Sequence, residues 1–296
     1  MTPILGHVGG GTLDPIQLAG LTLAATAYAL RSRTLAEEGR PVPAWRVACF
    51  SVGITLIALG LVSPLAHMGG ELQWAHMAQH LVIGDIAAAL IVGGLTGPLL
   101  QPLLAVKAID RLRVLTHPLV ALPLWAASLY IWHIPALYQA TLTSEAVHAL
   151  QHSCFIGFGI LMWMPLFGPL PKPAWFGIGA KIGYVVAVRF AGTILGNVFM
   201  WSNTAFYPDY APGQADFGID PIADQSTAGV LMTLEGGLIT LGVLAWLFMK
   251  WAQQDTERQA LVELADERGV ELSEGRAERA VAAGEGARLA ERIRGA

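Results

Sequence analysis

Long uncharged apolar runs alternate with short polar segments along this chain. Because a helix rises about 1.5 Å per residue and the membrane hydrocarbon is about 30 Å thick, a spanning helix needs about 20 such residues. Runs of about this length predict seven transmembrane helices, at residues 13–30, 45–62, 74–100, 119–138, 146–167, 178–201 and 222–249. The expected fold is therefore an all-α, seven-helix transmembrane bundle.

Basic residues occur after every second run, as expected of cytoplasmic loops. They are Arg31, Arg33, Arg40 and Arg46, then Lys107, Arg111 and Arg113, then Lys172 and Lys181, and finally Lys250 with the arginines that follow it. The segments 1–13, 63–73, 139–145 and 202–221 contain no Lys or Arg. This pattern predicts that the N-terminus is outside and the C-terminus is cytoplasmic. The opening segment lacks a basic region, so no cleavable signal is expected.

Composition supports a membrane protein, since 54% of the residues are hydrophobic, 14% are charged and the mean hydropathy is +0.52. These values exclude an ordinary soluble domain. The composition changes after Trp251, where Ala, Glu and Arg dominate. We therefore expect a transmembrane domain over residues 1–250 and a charged cytosolic tail, partly helical or disordered, over residues 251–296.

The histidines are placed unevenly in this topology, with seven of the eight on the outer side. The pairs His76/His80 and His148/His152 have i, i+4 spacing, which puts both rings of each pair on one helical face. His133, at the outer end of the fourth run, is expected at a similar depth. Imidazoles from several helices at one depth are typical of metal sites in helical bundles. The sequence therefore predicts a metal site of His76, His80, His133, His148 and His152, placed accessibly at the membrane surface. His7 and His67 are expected to be interfacial and His117 to lie in a loop.

The residues near this cluster indicate which metal it prefers. Asp224 and Gln225 open the seventh run on the same side, and Met77 lies between two of the histidines. Imidazole suits copper, zinc and iron, while thioether ligands favour cuprous ion. Copper, as Cu(I), is the leading expectation, with haem, iron or zinc behind it, although a methionine in an apolar helix more often has a packing role.

Asp85, Arg189 and Glu235 stand out because they are predicted to lie within the hydrocarbon, where charge is costly. Arg189 and Glu235 are predicted at nearly the same depth, which favours a structural ion pair between the sixth and seventh helices. Asp85 follows His80 by five residues. It could accept a proton from a metal-bound histidine or pair with Arg189, and the sequence does not decide between these.

Four motifs together resemble the CtaG-type family of cytochrome c oxidase assembly factors: HMAQH at 76–80, WHIPALYQA at 132–140, HALQHSCF at 148–155 and DQSTAG at 224–229. The resemblance implies a multi-pass protein of the bacterial plasma membrane that supplies copper to a haem-copper oxidase catalytic subunit or receives it from another copper chaperone. It marks the five histidines together with Gln79, Asp224 and Gln225. Gln151 stands where the family often has Glu, and Thr233 where it often has an aromatic residue.

Three functions remain in competition. The first is a copper-holding assembly factor. The second is a membrane haem protein with bis-histidine ligation that transfers electrons. The third is a metalloenzyme with a metal-activated water, which is ranked last because Asp224 is its only good acid or base. We expect no enzyme activity and no nucleic-acid partner, since phosphate-binding, nucleophile and basic motifs are missing from the sequence, and we expect contact with membrane lipid.

Overall fold

The computed structural model describes residues 15–295, and these residues form helices and connecting segments without a β-strand. The α-helices are α1 Pro15–Glu37, α2 Ala44–Val62, α3 Pro64–Glu71, α4 Gln73–Leu81, α5 Ala87–Gly94, α6 Gly97–Leu104, α7 Lys107–Leu112, α8 Pro118–Trp132, α9 Pro135–Thr143, α10 Glu145–Phe167, α11 Ile178–Trp201, α12 Ala211–Phe217, α13 Pro221–Glu267, α14 Glu274–Ala282 and α15 Gly286–Arg294. A π-helical segment, Val82–Ile86, joins α4 to α5. The chain is therefore all-α, as predicted.

Among residues 15–295, five helical segments are long and apolar enough to cross a membrane: Ala44–Val62, Gln73–Gly94, Glu145–Phe167, Ile178–Trp201 and part of Pro221–Glu267. A sixth is reached if Lys107–Thr116 and Pro118–Trp132, which meet at a 78° bend, are taken as one broken span. Helix α1, which overlaps the predicted first span, is not among them. The protein is thus a multi-pass membrane protein, whereas the count of seven spans and the orientation of the termini stay predictions.

Two of the predicted spans end earlier than expected. The run 74–100 stops at Gly94, and Leu95 is extended, with α6 beginning just before Pro98. The run 119–138 stops at Trp132, and α9 begins at Pro135 after an extended Ile134. At the second break the proline ring disfavours helical conformation in Ile134, the residue before it, whereas at the first break Leu95 and Thr96 are extended and Gly97 starts the new helix. Tyr138 therefore belongs to a separate short helix.

The chain divides into two compact units. One contains the described residues up to Trp175 together with Val186–Gly237, and the other contains Phe176–Val185 and the residues from Leu238 onward. In the second unit, apolar residues of α14 and α15 pack on the end of α13 through a small core that includes Leu261, Val281 and Ile293. Helix α13 continues unbroken through residue 251. The division into 1–250 and 251–296 stays a prediction.

Close packing of two glycines sets the distance between α10 and the α4–α5 segment. A Cβ atom on Gly159 of α10 would lie 1.9 Å from the carbonyl oxygen of Gly84, and a Cβ on Gly84 would lie 3.1 Å from the Cβ of Phe155. Only glycine permits such an approach of two helix backbones. The contact lies less than two turns beyond His80 and two turns beyond His152, so it holds together the two helices that carry the paired histidines.

Candidate metal centre

All five predicted histidines lie in the first compact unit, and they come from three places in the chain. His76 and His80 lie on α4, His148 and His152 lie on the first turns of α10, and His133 caps the end of α8. Because residues four apart share a helical face, each pair presents both rings to the same side. The packing of α10 against α4 and the π-helical segment then brings the two pairs face to face.

The four paired rings contact one another directly. Ring centroids are 4.2 Å apart within each pair, His76 with His80 and His148 with His152. Across the helices, His76 lies 5.2 Å from His148, and His80 lies 5.2 Å from His152. In the described part of the chain, one group of ring nitrogens, from His76, His80 and His148, lies within 4.8 Å of one another. Two nitrogens that bind one tetrahedral ion at about 2.0 Å are about 3.3 Å apart. Small rotations of the rings would bring these nitrogens to the spacing that one ion requires.

His133 completes the group from the side of α8. Its ring packs 6.0 Å from Tyr138 and 6.1 Å from Phe155, which also contact His76 and His80. The structure therefore brings the four paired histidines into ring contact and places His133 beside them.

The cluster is buried, contrary to the expectation of an accessible surface site. His76 is 0% exposed, His80, His133 and His152 are below 8%, and only His148 is half-buried. The Nε2 atoms of all five rings lack a hydrogen-bond partner, as does Nδ1 of His80. Buried polar atoms are normally paired, since leaving one unpaired costs about 1–3 kcal/mol. Five unpaired imidazole nitrogens in one place fit a bound metal ion, which uses such lone pairs.

Main-chain carbonyls orient two of the rings. His76 donates from Nδ1 to the carbonyl oxygen of Gly69 at 3.2 Å, and His133 donates from Nδ1 to that of Leu129 at 2.6 Å. A carbonyl oxygen only accepts, so Nδ1 carries the proton and Nε2 carries a free lone pair. Metal-binding histidines commonly have this arrangement.

Three tyrosines that sequence reasoning missed enclose the cluster. The hydroxyls of Tyr138 and Tyr210 are 3.0 Å apart, Tyr210 donates to Gly69 O, and Tyr207 donates to the carbonyl oxygen of His133 at 2.9 Å. Burial raises the pKa of Tyr207 and Tyr210 above the usual tyrosine range, so both remain neutral donors. The signal was the concentration of Tyr in segments without basic residues, at Tyr138 in WHIPALYQA and at Tyr207 and Tyr210 between the last two runs.

Asp224 was predicted to support the cluster, and among the described residues its hydrogen bonds are to the start of α4 and to Gln214 rather than to a histidine. Its carboxylate accepts from the main-chain N–H groups of Gln73 and Trp74, each at 2.9 Å, and from the side chain of Gln214 at 2.8 Å. Leu72 is extended, so the first N–H groups of α4 have no preceding helical turn to bind. Asp224 therefore caps the helix that carries His76 and His80, as an N-cap carboxylate does.

The other predicted supporting residues have structural contacts. Gln225 accepts from Phe206 N at 2.9 Å and donates to Thr204 O at 3.0 Å, which ties the segment before α12 to α13. Gln79 donates to Gly60 O at 2.9 Å, and its Oε1 has no partner. Met77 is buried in the apolar core with Phe155 and Phe199. The sulfur ligand that Met77 was expected to offer stays a prediction.

The predicted ion pair between Arg189 and Glu235 is not formed. The Arg189 guanidinium donates to the main-chain oxygens of Met232 and Thr233, and the ion pairs in the described residues do not include it. The reason lies in the adjacent glycines: a Cβ on Gly236 would lie 2.6 Å from the guanidinium. Without side chains there, Arg189 reaches the helix backbone first and interacts with Glu235 only at longer range.

Asp85 has neither of its two predicted partners. Its carboxylate accepts from Trp163 Nε1 at 2.8 Å and lies within hydrogen-bonding reach of Glu235. It lies in the π-helical segment, whose extra residue per turn changes the face that it presents. No bond from Asp85 to a histidine or to Arg189 is found among residues 15–295.

Two further histidines in the described part of the chain, His67 and His117, have no ring contact with the cluster. His67 is exposed on α3, and His117 caps α8 by accepting from Leu119 N at 3.3 Å. His7 lies outside the described residues. Gln151, which stands where the related family often has Glu, is fully buried beside His76.

A bundle of apolar helices with a buried multi-histidine cluster defines a membrane protein with a candidate metal centre. Residues 26–254 match the cytochrome c oxidase caa3 assembly factor family. The chain belongs to this family, so the resemblance drawn from the motifs is confirmed.

Curated relatives are mycobacterial proteins described as uncharacterized. Those of Mycobacterium bovis and Mycobacterium tuberculosis are each 24% identical over 257 residues, covering 81% of this chain and 39% of the relative. One of Mycobacterium leprae is 22% identical over 238 residues, covering 74% of this chain and 36% of the relative. The chain thus spans about two fifths of the length of the curated relatives that it matches. No solved structure matches it.

Proposed function

We propose that this protein binds copper, as cuprous ion, at the five-histidine cluster and supplies it to the catalytic subunit of a haem-copper oxidase during assembly. The observation that carries the proposal is the set of unpaired, buried Nε2 atoms on all five rings. The family match supports the role in oxidase assembly. The membrane would be the bacterial plasma membrane, with seven spans, the N-terminus outside and the C-terminus cytoplasmic.

The donor set favours copper over harder cations. The cluster offers neutral imidazole, and the carboxylate of Asp224 already accepts three hydrogen bonds at the start of α4. Hard cations such as Mg²⁺ and Ca²⁺ prefer carboxylate and carbonyl oxygens, whereas imidazole suits copper, zinc and iron. A neutral site with buried walls also favours the lower charge of Cu(I), because burying net charge is costly.

The ring packing favours a single ion over haem. Neighbouring rings pack against those of His76 and His80 at centroid distances of 4.2 to 5.2 Å. The two rings contact each other, His76 also contacts His148 and Tyr138, and His80 also contacts Phe155. A porphyrin held between two axial histidines would have to lie where these rings are.

Copper analysis of the purified full chain tests the proposal. The protein loaded with Cu(I) and dialysed should retain about one copper ion per chain, and the His148→Ala/His152→Ala variant should lose it. His67→Ala, an exposed histidine outside the cluster, is the matched control and should retain copper. Equal copper content in the wild-type and double-variant proteins would reject the site.

A cellular measurement tests the assembly role separately. A strain that lacks the protein should make oxidase with less copper when copper is scarce, and wild-type protein, but not the double variant, should restore it. Fully metallated oxidase in the deletion strain under copper limitation would contradict the role in assembly.

A further inference from the structure

The four paired histidines form a ladder with two rungs. The sides are the pairs within α4 and within α10, both at 4.2 Å, and the rungs between the helices are both at 5.2 Å. The diagonal from His80 to His148 is 6.4 Å. This diagonal divides the ladder into two triangles, one completed by His76 and the other by His152, whose edges have the same three lengths.

From this geometry we infer that the cluster contains two ion positions that share His80 and His148. The first position is completed by His76 and the second by His152. The inference rests on the proposed metal binding and adds that one ion has two alternative places in the cluster. Three imidazoles are a sufficient ligand set for an ion of this class.

The available nitrogens support both positions. Both ring nitrogens of His80 lack a partner, so His80 can turn a lone pair toward either triangle. Nε2 of His148 and of His152 are also unpaired. The first triangle already has its nitrogens within 4.8 Å of one another, and the second has the same ring spacing. His152 is not in the group whose nitrogens lie within 4.8 Å of one another, so binding at the second position requires its ring to turn about its broad terminal torsion.

The shared ligands allow an ion to move from one position to the other. His80 and His152 each lie one helical turn beyond His76 and His148, so the second position lies further along both helices. An ion that passes between the positions exchanges His76 for His152 and keeps its bonds to His80 and His148. It moves along both helices without being released, which is what a protein that delivers copper requires.

Four single variants test this inference in the full-length protein, with the Cu(I) dissociation constant measured by competition with a chromophoric chelator. His76→Ala and His152→Ala each leave one triangle intact and should weaken binding by less than about 10-fold. His80→Ala and His148→Ala remove a ligand from both positions. They should weaken Cu(I) binding by more than about 100-fold, which is the largest loss usual when a residue that only supports a metal ligand is removed. The four variants are matched, because each removes the same side chain from the same pair of helices.

His133 could substitute for a lost ligand in the first position, so a double variant excludes it. His76→Ala/His133→Ala retains only the second triangle and should still bind one cuprous ion, with a shell of three nitrogens by X-ray absorption. Loss of binding in this double variant would overturn the inference. His80→Gln and His148→Gln, which keep a polar side chain, replace the alanine variants if those fail to fold by circular dichroism.

The outcomes separate this inference from the proposed function. A wild-type protein that does not bind Cu(I) would contradict both. A wild-type protein that binds, with equal losses in all four single variants or with a loss in His76→Ala as large as that in His80→Ala, would contradict the two positions and leave the copper site standing.

Discussion

Two groups of buried polar residues lie close together in the first compact unit, and they differ in whether their polar atoms are paired. In the Asp224 group, the carboxylate has three donors and Gln225 binds three main-chain groups. In the histidine cluster, all five Nε2 atoms are unpaired. Both groups are removed from water.

The difference separates structural residues from ligands. A buried polar group whose hydrogen bonds are all formed holds helices and loops together, and those hydrogen bonds already stabilise the folded state. A buried lone pair without a partner destabilises the fold until something binds it. The Asp224 group therefore positions α4, and the histidine cluster is the proposed ion site. Changes to the Asp224 group, to the histidines or to their packing should therefore have different effects on stability and on copper binding.

The largest expected effect is stabilisation by copper. Binding to the folded state alone stabilises a protein by about 4 kcal/mol when the ligand is at 1,000 times its dissociation constant. Thermal unfolding in detergent should therefore show a clear rise in midpoint when Cu(I) is added to the wild-type protein. The His80→Ala/His148→Ala variant should show no rise, and an equal rise in that variant would place the copper elsewhere.

Asp224→Asn should destabilise the protein by about 3 kcal/mol, since the amide cannot accept all of the N–H groups at the start of α4 and in Gln214. It should also weaken Cu(I) binding, because α4 carries His76 and His80. Asp220→Asn is the matched control: Asp220 is exposed and caps its own helix through Ile222 N and Ala223 N. Because Asn caps a helix about as well as Asp, the variant should lose less than about 1 kcal/mol, from the charge near the helix N-terminus, without loss of copper affinity. Identical behaviour of the two variants would argue against a positioning role.

Gly159→Ala should cost about 2 kcal/mol, since its Cβ would collide with the carbonyl oxygen of Gly84 and push α10 away from the segment that carries His76 and His80. Copper affinity should fall with stability. Gly157→Ala on the same helix is the control, because nothing lies within 4 Å of its Cβ, and it should be neutral or slightly stabilising. Chemical denaturation and Cu(I) competition measure both effects.

Trp163→Phe should have the smallest effect, a loss of about 1 kcal/mol from removal of the hydrogen bond to Asp85. Asp85 does not contact the histidines, so copper affinity should remain at the wild-type value. A weaker copper site in this variant would show that the carboxyl group of Asp85 supports the cluster after all.

The sequence contained much of the candidate site but little of its support. The i, i+4 spacing and the distribution of basic residues were enough to group five histidines, because helical periodicity is local. The role of Asp224 depends on a helix break at Leu72 and on a partner 150 residues away, which periodicity does not encode.

Estimating membrane depth from the helical rise per residue did not predict the partners of the charged residues, for a similar reason. This depth estimate placed Arg189 and Glu235 at nearly the same depth, and the two interact at long range. It took no account of Gly236, whose missing side chain lets the guanidinium reach the helix backbone. The π-helical segment likewise changed the partners of Asp85. Elements with strong local signals were predictable, and contacts that depend on packing between helices were not.

X-ray absorption at the copper edge of Cu(I)-loaded, purified protein tests the central claim most directly, because it reports which atoms bind the metal. The account predicts a shell of three or four nitrogen atoms at about 2.0 Å, with the outer-shell scattering of imidazole rings. A shell dominated by sulfur, or a protein that retains no copper to measure, would contradict it.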